Sequence, residues 1–153
     1  MHSLDYLIEK GWLDQWHTYD VLPSTQDHLK NILREQGYSR RLVHAQHQTA
    51  GRGRREKLWW SPSGCLMFSL SWRPDADCSM PSIDEKRDVC SLIPLIVALA
   101  LIESVETVCR HPLPLQVKWP NDVLVMDRKL AGILVETITL PTLTQDLMTP
   151  ADR

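Results

Sequence analysis

Two short stretches of this chain carry residue types suited to binding a phosphate-bearing anion. Residues 48–55 read Gln-Thr-Ala-Gly-Arg-Gly-Arg-Arg, which joins two glycines to three arginines. Residues 117–136 read Val-Lys-Trp-Pro-Asn-Asp-Val-Leu-Val-Met-Asp-Arg-Lys-Leu-Ala-Gly-Ile-Leu-Val-Glu, a pattern typical of a strand, a turn and a second strand. Cationic side chains on a mobile glycine loop and on a rigid hairpin are expected where an anionic ligand binds.

The first stretch contains a glycine-arginine loop, residues 51–55. Gly51 and Gly53 permit a close approach of the backbone to a ligand. The arginines supply planar forks of donors that match carboxylate and phosphate oxygens. A solvated basic turn, or a nucleic-acid or localisation patch, would have the same composition. The loop lacks the Gly-x-x-x-x-Gly-Lys-Ser/Thr pattern, which disfavours a Walker-type phosphate loop.

The second stretch contains a proline that should interrupt its first strand. Pro120 cannot donate to a sheet ladder, so we expect Asn121 and Asp122 to turn out of the ladder. Asp122 could then hold magnesium, which commonly keeps several waters and one or two carboxylates beside substrate phosphates. An Asx-type turn cap is the alternative role for this carboxylate.

Three further positions are ambiguous by themselves. Lys129 lies in a predicted hairpin turn, where a lysine is usually solvated. Gly132 lies inside an apolar strand, which often marks the close approach of another group. Ser24-Thr25 is most simply a helix cap, although a helix N-terminus also binds polar groups.

The elements that must position these residues follow from hydrophobic spacing. Strands are predicted at 18–22, 42–46, 65–72, 115–119, 123–126 and 130–135, and helices at about 25–36 and 89–108. Gly37 should end the first helix. The last two strands should form a hairpin that turns on residues 127–129. Neighbouring strand pairs with helices between them predict an α+β domain on a mostly antiparallel sheet flanked by helices.

Two of these elements carry further expectations. Leu66, Phe68, Leu70 and Trp72 should share one face of the third strand. An apolar run at 92–102 is shorter than the ~20 residues of a bilayer-spanning helix, so it predicts a buried helix and no membrane span. Pro94 is expected in the first turn of that helix, where its missing N–H costs little.

Composition places the chain among ordinary soluble proteins. Its 153 residues fit one domain, with 43% hydrophobic and 24% charged residues. A formal net charge of −2 offers no global field to attract nucleic acid, so a cationic site must be local. The sequence has four cysteines, no Cys-x-x-Cys pair and no signal-peptide pattern, which predicts reduced thiols and a cytoplasmic protein.

Together these stretches resemble the catalytic domain of biotin protein ligases, which adenylate biotin and attach it to a carrier lysine. The matching segments are Ser24-Thr25, Gln48 to Arg55, Trp59-Trp-Ser-Pro, Lys118-Trp-Pro-Asn-Asp, and Arg128 to Glu136. The resemblance covers roughly residues 21–136. It implies a partial catalytic domain at 1–136, incomplete at the C-terminus and with a class II aminoacyl-tRNA synthetase-like fold. An irregular tail at 137–153 would follow.

The resemblance also implies ligands and a role for each matching position. Biotin would be bound by Ser24, Thr25, Gln48, Gly51, Arg52, Gly53, Arg54, Lys129 and Gly132, the nucleotide by Arg54, Arg55, Trp59, Asn121 and Lys129, and magnesium by Asp122. Ser24, Thr25 and Gln48 would hold the ureido and ring end. Catalysis would depend on Arg54, Lys129 and Asp122.

The function implied is ATP-dependent ligation of biotin to a lysine of a biotin carboxyl carrier domain, through biotinyl-5′-AMP. A biotin- or partner-binding remnant without activity is the alternative from another class. Lipoate or octanoate transfer is a third possibility, since those enzymes share the fold. A homodimer formed through a sheet edge is compatible with the sequence, whereas nucleic-acid binding would rest on three arginines alone.

Overall fold

The computed structural model describes residues 4–73, 83–109 and 112–140, with the backbone alone at residue 56 and residues 83–90. The chain divides into two compact units. In the described ranges, unit 1 comprises residues 4–49, 61–72 and 138–140. Unit 2 comprises residues 50–60, 73, 83–109 and 112–137. The predicted irregular tail at 137–153 is described only as far as residue 140, and the rest of it lies outside the described residues.

Unit 1 is built on a three-stranded sheet. Its strands are β1 (Gln15–Leu22), β2 (Arg41–Gln48) and β3 (Met67–Leu70), in the order β1-β2-β3. β1 and β2 are parallel, and β2 and β3 are antiparallel. A short helix α1 (Asp5–Glu9) precedes β1, and helix α2 (Thr25–Gln36) connects β1 to β2. Because Leu22 pairs with Gln48, the start of α2 lies beside the end of β2.

Helix α2 begins and ends where the sequence predicts. The Ser24 hydroxyl accepts a hydrogen bond from the backbone N–H of Asp27 at 3.3 Å, and Gly37 follows the last turn with a φ of 78°. That positive φ favours glycine. The helix buries Leu29 and Leu33 in a core that also contains Leu22, Val43 and Ala45 and against which Ile138 and Leu140 pack. This packing holds the N-terminus of α2 in place.

Strand β3 has the predicted alternation, and its apolar face is the exposed one. Met67, Ser69 and Ser71 are buried, whereas Leu66 is 74% and Phe68 44% exposed. The small buried side chains of this strand fit against α2 and the β2 core. Large apolar side chains are therefore left on the opposite face of the sheet.

Unit 2 contains an antiparallel sheet in the order β4-β5-β6, formed by Leu115–Lys118, Asp122–Val125 and Arg128–Gly132. The predicted hairpin is confirmed, but its turn is shorter than expected. Met126 and Asp127 form the turn with φ of 47° and 60°. Paired left-handed residues are typical of a two-residue turn, whose twist matches that of the strands. Lys129 therefore lies in strand β6, and the expectation that it lies in the turn is wrong.

The long helix α3 (Ile83–Val108) packs against β4 and β5. It begins six residues before the predicted start, so Pro94 lies inside it and the first-turn expectation is wrong. The expectation of burial is also wrong for the described side chains. Ala98 is fully buried, but Leu92, Ile96 and Leu99 are exposed, because only a narrow side of the helix meets the sheet.

The same helix meets a simple length criterion for crossing a membrane. Within the described residues, Ser91–Val108 has a mean hydropathy of 1.9, and 6% of that segment is buried. By length and composition alone it could span a bilayer. One such helix is weak evidence, since core helices of soluble proteins share these properties.

Candidate functional site

A buried polar network joins α2, β2 and β3 in unit 1. The backbone N–H of Thr25 donates to Gln48 Oε1 at 2.7 Å, and the Thr25 hydroxyl donates to the same oxygen at 3.0 Å. Thr25 Oγ1 also lies 2.9 Å from Ser69 Oγ. Thr25 and Ser69 are 4% and 7% exposed. The network brings together Thr25 and Gln48, two of the predicted biotin-binding residues.

Ser24 has a separate role in this region. It is buried, and its hydroxyl caps α2 through the backbone N–H of Asp27. The capping bond uses the hydroxyl as an acceptor, so its proton is still available to a neighbour. The structure therefore confirms the predicted cap, while the predicted biotin contact of Ser24 stays a prediction.

A lysine, a carboxylate and an indole ring lie together in unit 2. Lys129 Nζ is 2.7 Å from Asp122 Oδ1 and 4.8 Å from the centre of the Trp59 ring. The side chains of Lys129 and Asp122 are 41% and 23% exposed. A pair this accessible contributes only about 0–1 kcal/mol to folding. Its main effect is to hold one ammonium group against one ring face.

Asp122 lies in strand β5 and contacts Lys129 of strand β6. It pairs with Lys118 on β4 and Gly132 on β6. The expectation that Pro120 turns Asp122 out of the ladder is therefore wrong. The turn ends at Asn121, and the antiparallel ladder resumes with the next residue.

Gly132 lies directly against Lys129 and Trp59. A Cβ at this position would be 2.9 Å from Lys129 Cε, 2.9 Å from Trp59 Cζ3 and 3.0 Å from Lys129 Nζ. A side chain larger than hydrogen would thus displace the lysine or the indole. The predicted close approach at Gly132 is confirmed, and the approaching groups are Lys129 and Trp59.

Side chains of unit 2 restrain the glycine-arginine loop. Arg52 Nη2 lies 3.2 Å from Glu136 Oε2, and Arg54 Nη1 donates to Asn121 Oδ1 at 3.2 Å. Arg54 begins a short 3₁₀ helix, Arg54–Glu56. Arg55 adopts a left-handed φ of 56°, which is costly for a non-glycine residue and often accompanies function.

Backbone hydrogen bonds close the same loop. The backbone N–H of Gly53 donates to the carbonyl of Lys57 at 2.7 Å, and the backbone N–H of Trp59 donates to the carbonyl of Gly51 at 2.8 Å. The loop is therefore ordered at both ends. The Arg52–Glu136 and Arg54–Asn121 contacts are partly exposed.

Asn121 connects this loop to the hairpin. Its side-chain amide donates to the backbone carbonyl of Ile133 at 2.9 Å. The backbone N–H of Ile133 donates to the backbone carbonyl of Asn121, also at 2.9 Å. The amide oxygen is left to accept from Arg54. The predicted nucleotide-binding residues Arg54 and Asn121 are thus in contact.

The described residues contain no group of three or more His, Cys, Asp or Glu side chains that could hold a metal ion. Asp122 is the carboxylate of the unit 2 cluster, and it faces Lys129. A magnesium ion at Asp122 would therefore need most of its ligands from water and from a nucleotide's phosphates.

The sequence interpretation did not include Ser69 or Glu136 among the site residues. Glu136 gave no signal because its partner Arg52 lies far along the chain. Ser69 also gave no signal, because the alternation places it on the polar face of β3 and only the pairing of β2 with β3 shows that this face is buried.

Comparison with known families gives a match over most of the chain. Residues 18–148 match the Biotin/lipoate A/B protein ligase family. The bifunctional ligase/repressor BirA of Salmonella typhimurium is 34% identical over 117 residues, 76% of this chain and 33% of that protein. The biotin–[acetyl-CoA-carboxylase] ligase of Paracoccus denitrificans is 36% identical over 95 residues, 62% of this chain and 36% of that protein. The chain therefore spans about a third of the length of these curated relatives.

Solved structures agree with this family match. The biotin protein ligase of Aquifex aeolicus in complex with biotin and ATP has a TM-score of 0.62 and 29% identity, covering 80% of this chain and 47% of that one. The Leishmania major ligase in complex with biotinyl-5-AMP has a TM-score of 0.60 and 26% identity, covering 81% of this chain and 52% of that one. The predicted α+β fold is confirmed.

Proposed function

Since this chain belongs to the Biotin/lipoate A/B protein ligase family, we propose that it ligates biotin to a lysine of a carrier domain, using ATP. Related proteins are named biotin ligases, and solved relatives bind biotin, ATP or biotinyl-5-AMP. The observation that carries the proposal is the position of Lys129, held by Asp122 beside Trp59 and Gly132.

The first half-reaction would join two anions. A carboxylate oxygen of biotin attacks the α-phosphorus of ATP, the bond from that phosphorus to the bridging oxygen breaks, and pyrophosphate leaves. Attack is opposed by charge repulsion, so a fixed cation at the point of approach lowers the barrier. Lys129 fits this role because its ammonium is already oriented by Asp122 and requires little reorganisation.

The surroundings of Lys129 suit a flat, anionic ligand. Trp59 offers an aromatic face that would stack near the adenine, and Gly132 leaves room for Lys129 and Trp59 to lie close together. Arg54 and Asn121 would contact the nucleotide, with Arg55 next to them on the loop. Asp122 would hold magnesium brought with the phosphates, which would supply further neutralisation of their charge.

The neutral end of biotin needs a different environment. Thr25 and Gln48 carry neutral donors and acceptors in a largely buried setting, which suits an uncharged ureido group better than a carboxylate. Ser24 adds a hydroxyl at the same helix start. We assign the ureido end to these three residues.

The glycine-arginine loop would protect the intermediate. Biotinyl-5′-AMP is a mixed anhydride that water or any amine can attack, so it must be covered until the carrier lysine arrives. Gly51 and Gly53 give the loop its conformational freedom. The Arg52–Glu136 and Arg54–Asn121 contacts are partly exposed, so exchanging them for contacts to the ligand costs little.

The second half-reaction would release AMP. The carrier lysine, as a free amine, attacks the acyl carbon, the bond from that carbon to the phosphate oxygen breaks, and the amine loses a proton. The partner would be the biotin carboxyl carrier domain of a biotin-dependent carboxylase, and the reaction would take place in the cytoplasm.

Transfer of biotin to a purified carrier domain tests the proposal. We expect mass spectrometry to show one added biotin that requires both ATP and this chain. If an excess of lipoate or octanoate abolished biotin transfer, one of these acids would be the preferred acyl substrate. A folded chain that binds biotin without transfer would favour a binding remnant.

A homodimer is proposed for the same chain. β1 and β3 end the unit 1 sheet, and β4 and β6 end the unit 2 sheet, as far as the described residues extend. Strand edges can pair with a second copy. Gel filtration that yields a monomer at all concentrations would contradict this proposal.

A further inference from the structure

Ser69 contacts the proposed biotin-binding network from its buried side. The residue lies on β3, pairs with Val43 and is 7% exposed. Its Oγ is 2.9 Å from the hydroxyl of Thr25. A hydroxyl in this position cannot exchange its partner for bulk water, so the direction of its hydrogen bond matters.

Donor and acceptor chemistry sets that direction. The backbone N–H of Thr25 can only donate, so the Gln48 atom 2.7 Å away is the amide oxygen. The same oxygen lies 3.0 Å from Thr25 Oγ1 and takes the single proton of that hydroxyl. Thr25 has no second proton, so Ser69 must donate to Thr25.

These bonds orient the Gln48 amide. Its oxygen accepts twice from Thr25, and its two N–H groups consequently point away from that residue. An amide held this way presents donors to a carbonyl acceptor. If Thr25 lost the bond from Ser69, its hydroxyl could rotate, and one of two contacts that fix Gln48 would weaken.

We propose that Ser69 is a positioning residue that holds Thr25 on Gln48 and thereby aims the Gln48 N–H groups at a neutral carbonyl oxygen. This inference rests on the proposed function, in which that oxygen belongs to the ureido group of biotin. Ser69 itself touches no ligand, and it acts through Thr25.

The same strand segment offers a matched control, Ser71. It is also buried, and its hydroxyl accepts from the N–H of Arg41 at 2.8 Å and donates to the carbonyl of Ser39 at 2.7 Å. The Ser71 hydroxyl thus bridges two backbone groups, and neither bond involves Thr25 or Gln48. Ser71→Ala therefore removes a buried hydroxyl without disturbing the network.

Biotin affinity, measured by calorimetry on the full chain, tests the inference. We expect Ser69→Ala to raise the Kd for biotin about three- to tenfold, the effect of one net hydrogen bond. Ser71→Ala should lower the Tm and leave the Kd unchanged. Ser69→Thr, which keeps the hydroxyl, should restore most of the affinity.

A double-mutant cycle separates positioning from general destabilisation. In a Gln48→Ala background, Ser69→Ala should have no further effect on the Kd, because the amide that it orients is gone. NMR of the side-chain amide should show the Gln48 resonances shifting in Ser69→Ala and not in Ser71→Ala.

Two results would overturn the inference. One is an unchanged Kd and unchanged Gln48 resonances in Ser69→Ala while the wild type binds biotin. The other is additive effects of Ser69→Ala and Gln48→Ala. A folded wild-type chain that binds no biotin would instead overturn the proposed function, and with it this role of Ser69.

Discussion

Lys129 Nζ and Asp122 Oδ1 lie 2.7 Å apart on neighbouring strands. The contact exists because the turn at Met126-Asp127 uses only two residues and brings β5 and β6 side by side. The register is irregular between Val123 and Leu124, so Asp122 pairs with Gly132 while Leu124 pairs with Lys129. A carboxylate and an ammonium are thus fixed beside a glycine whose Lys129 and Trp59 neighbours leave no room for a Cβ.

Lys129→Ala should remove the proposed adenylation. Loss of one preorganised cation at a developing charge typically slows a reaction about a hundredfold or more. Single-turnover formation of biotinyl-5′-AMP measures this directly. Lys10→Ala is a matched control, because Lys10 also places its ammonium over a ring, that of Tyr6 at 5.4 Å. Equal rates for the Lys129 variant and the wild type would contradict the assignment.

Gly132→Ala should impair activity more than stability. The new Cβ would contact Trp59 and Lys129 at 2.9 Å, and the flexible lysine end would move first. Misplacement of a reacting group by about 1 Å can cost about a hundredfold in rate.

Gly11→Ala is the converse control for this prediction. Gly11 has a φ of 68° with open space around it, so alanine there strains the backbone without touching the cluster. It should lower the Tm and keep the rate. Full activity of Gly132→Ala would show that the close approach is incidental.

Arg54→Gly should allow the intermediate to escape. Arg54 is held to Asn121 by one bond of 3.2 Å, and without its guanidinium the loop loses its central contact. We expect bystander proteins to be biotinylated by released biotinyl-5′-AMP, which streptavidin blotting detects. Arg34→Ala is the control, because Arg34 has a similar exposed bond to Asn31 at 3.2 Å. Equal bystander labelling by the two variants would count against the role.

Stability should depend on pH through His17. Among the described residues, its buried Nε2 has no hydrogen-bond partner. Burial lowers the pKa of His17 below the ordinary value of 6.5, and Arg41 and His28 add to the effect. The unfolded chain then binds the proton more readily than the folded chain. The contribution of His17 to the free energy of unfolding is therefore fully present above pH 6.5 and is lost as the pH falls toward the lowered pKa.

Thermal melts across this pH range check the prediction. His17→Gln should reduce the dependence of Tm on pH, while His47→Gln, at an exposed position, should leave it as in the wild type. An unchanged slope in His17→Gln would contradict the link to burial.

Much of this structure could be predicted from local sequence signals. Helix α2 was predicted with both ends because Ser24 and Gly37 are capping residues whose effect does not depend on distant contacts. The hairpin was predicted from two apolar runs around a polar turn. Its turn was misplaced because Met126 gives no sign that it will adopt a positive φ.

Burial was harder to predict because it depends on neighbours. The apolarity of α3 predicted a core helix, yet among the described side chains Leu92, Ile96 and Leu99 are exposed. On β3 the alternation was correct, but periodicity does not reveal which face is covered. For the site, residue types predicted the members of the unit 2 cluster, whereas the network through Ser69 required the pairing of β2 with β3.

Biotin-dependent exchange of labelled pyrophosphate into ATP tests the central claim most directly. The assay uses the purified 153-residue chain with magnesium and a Lys129→Ala control. We predict exchange that requires biotin and falls to background in the control. A folded chain that binds biotin but shows no exchange above the Lys129→Ala variant would contradict the proposed adenylation.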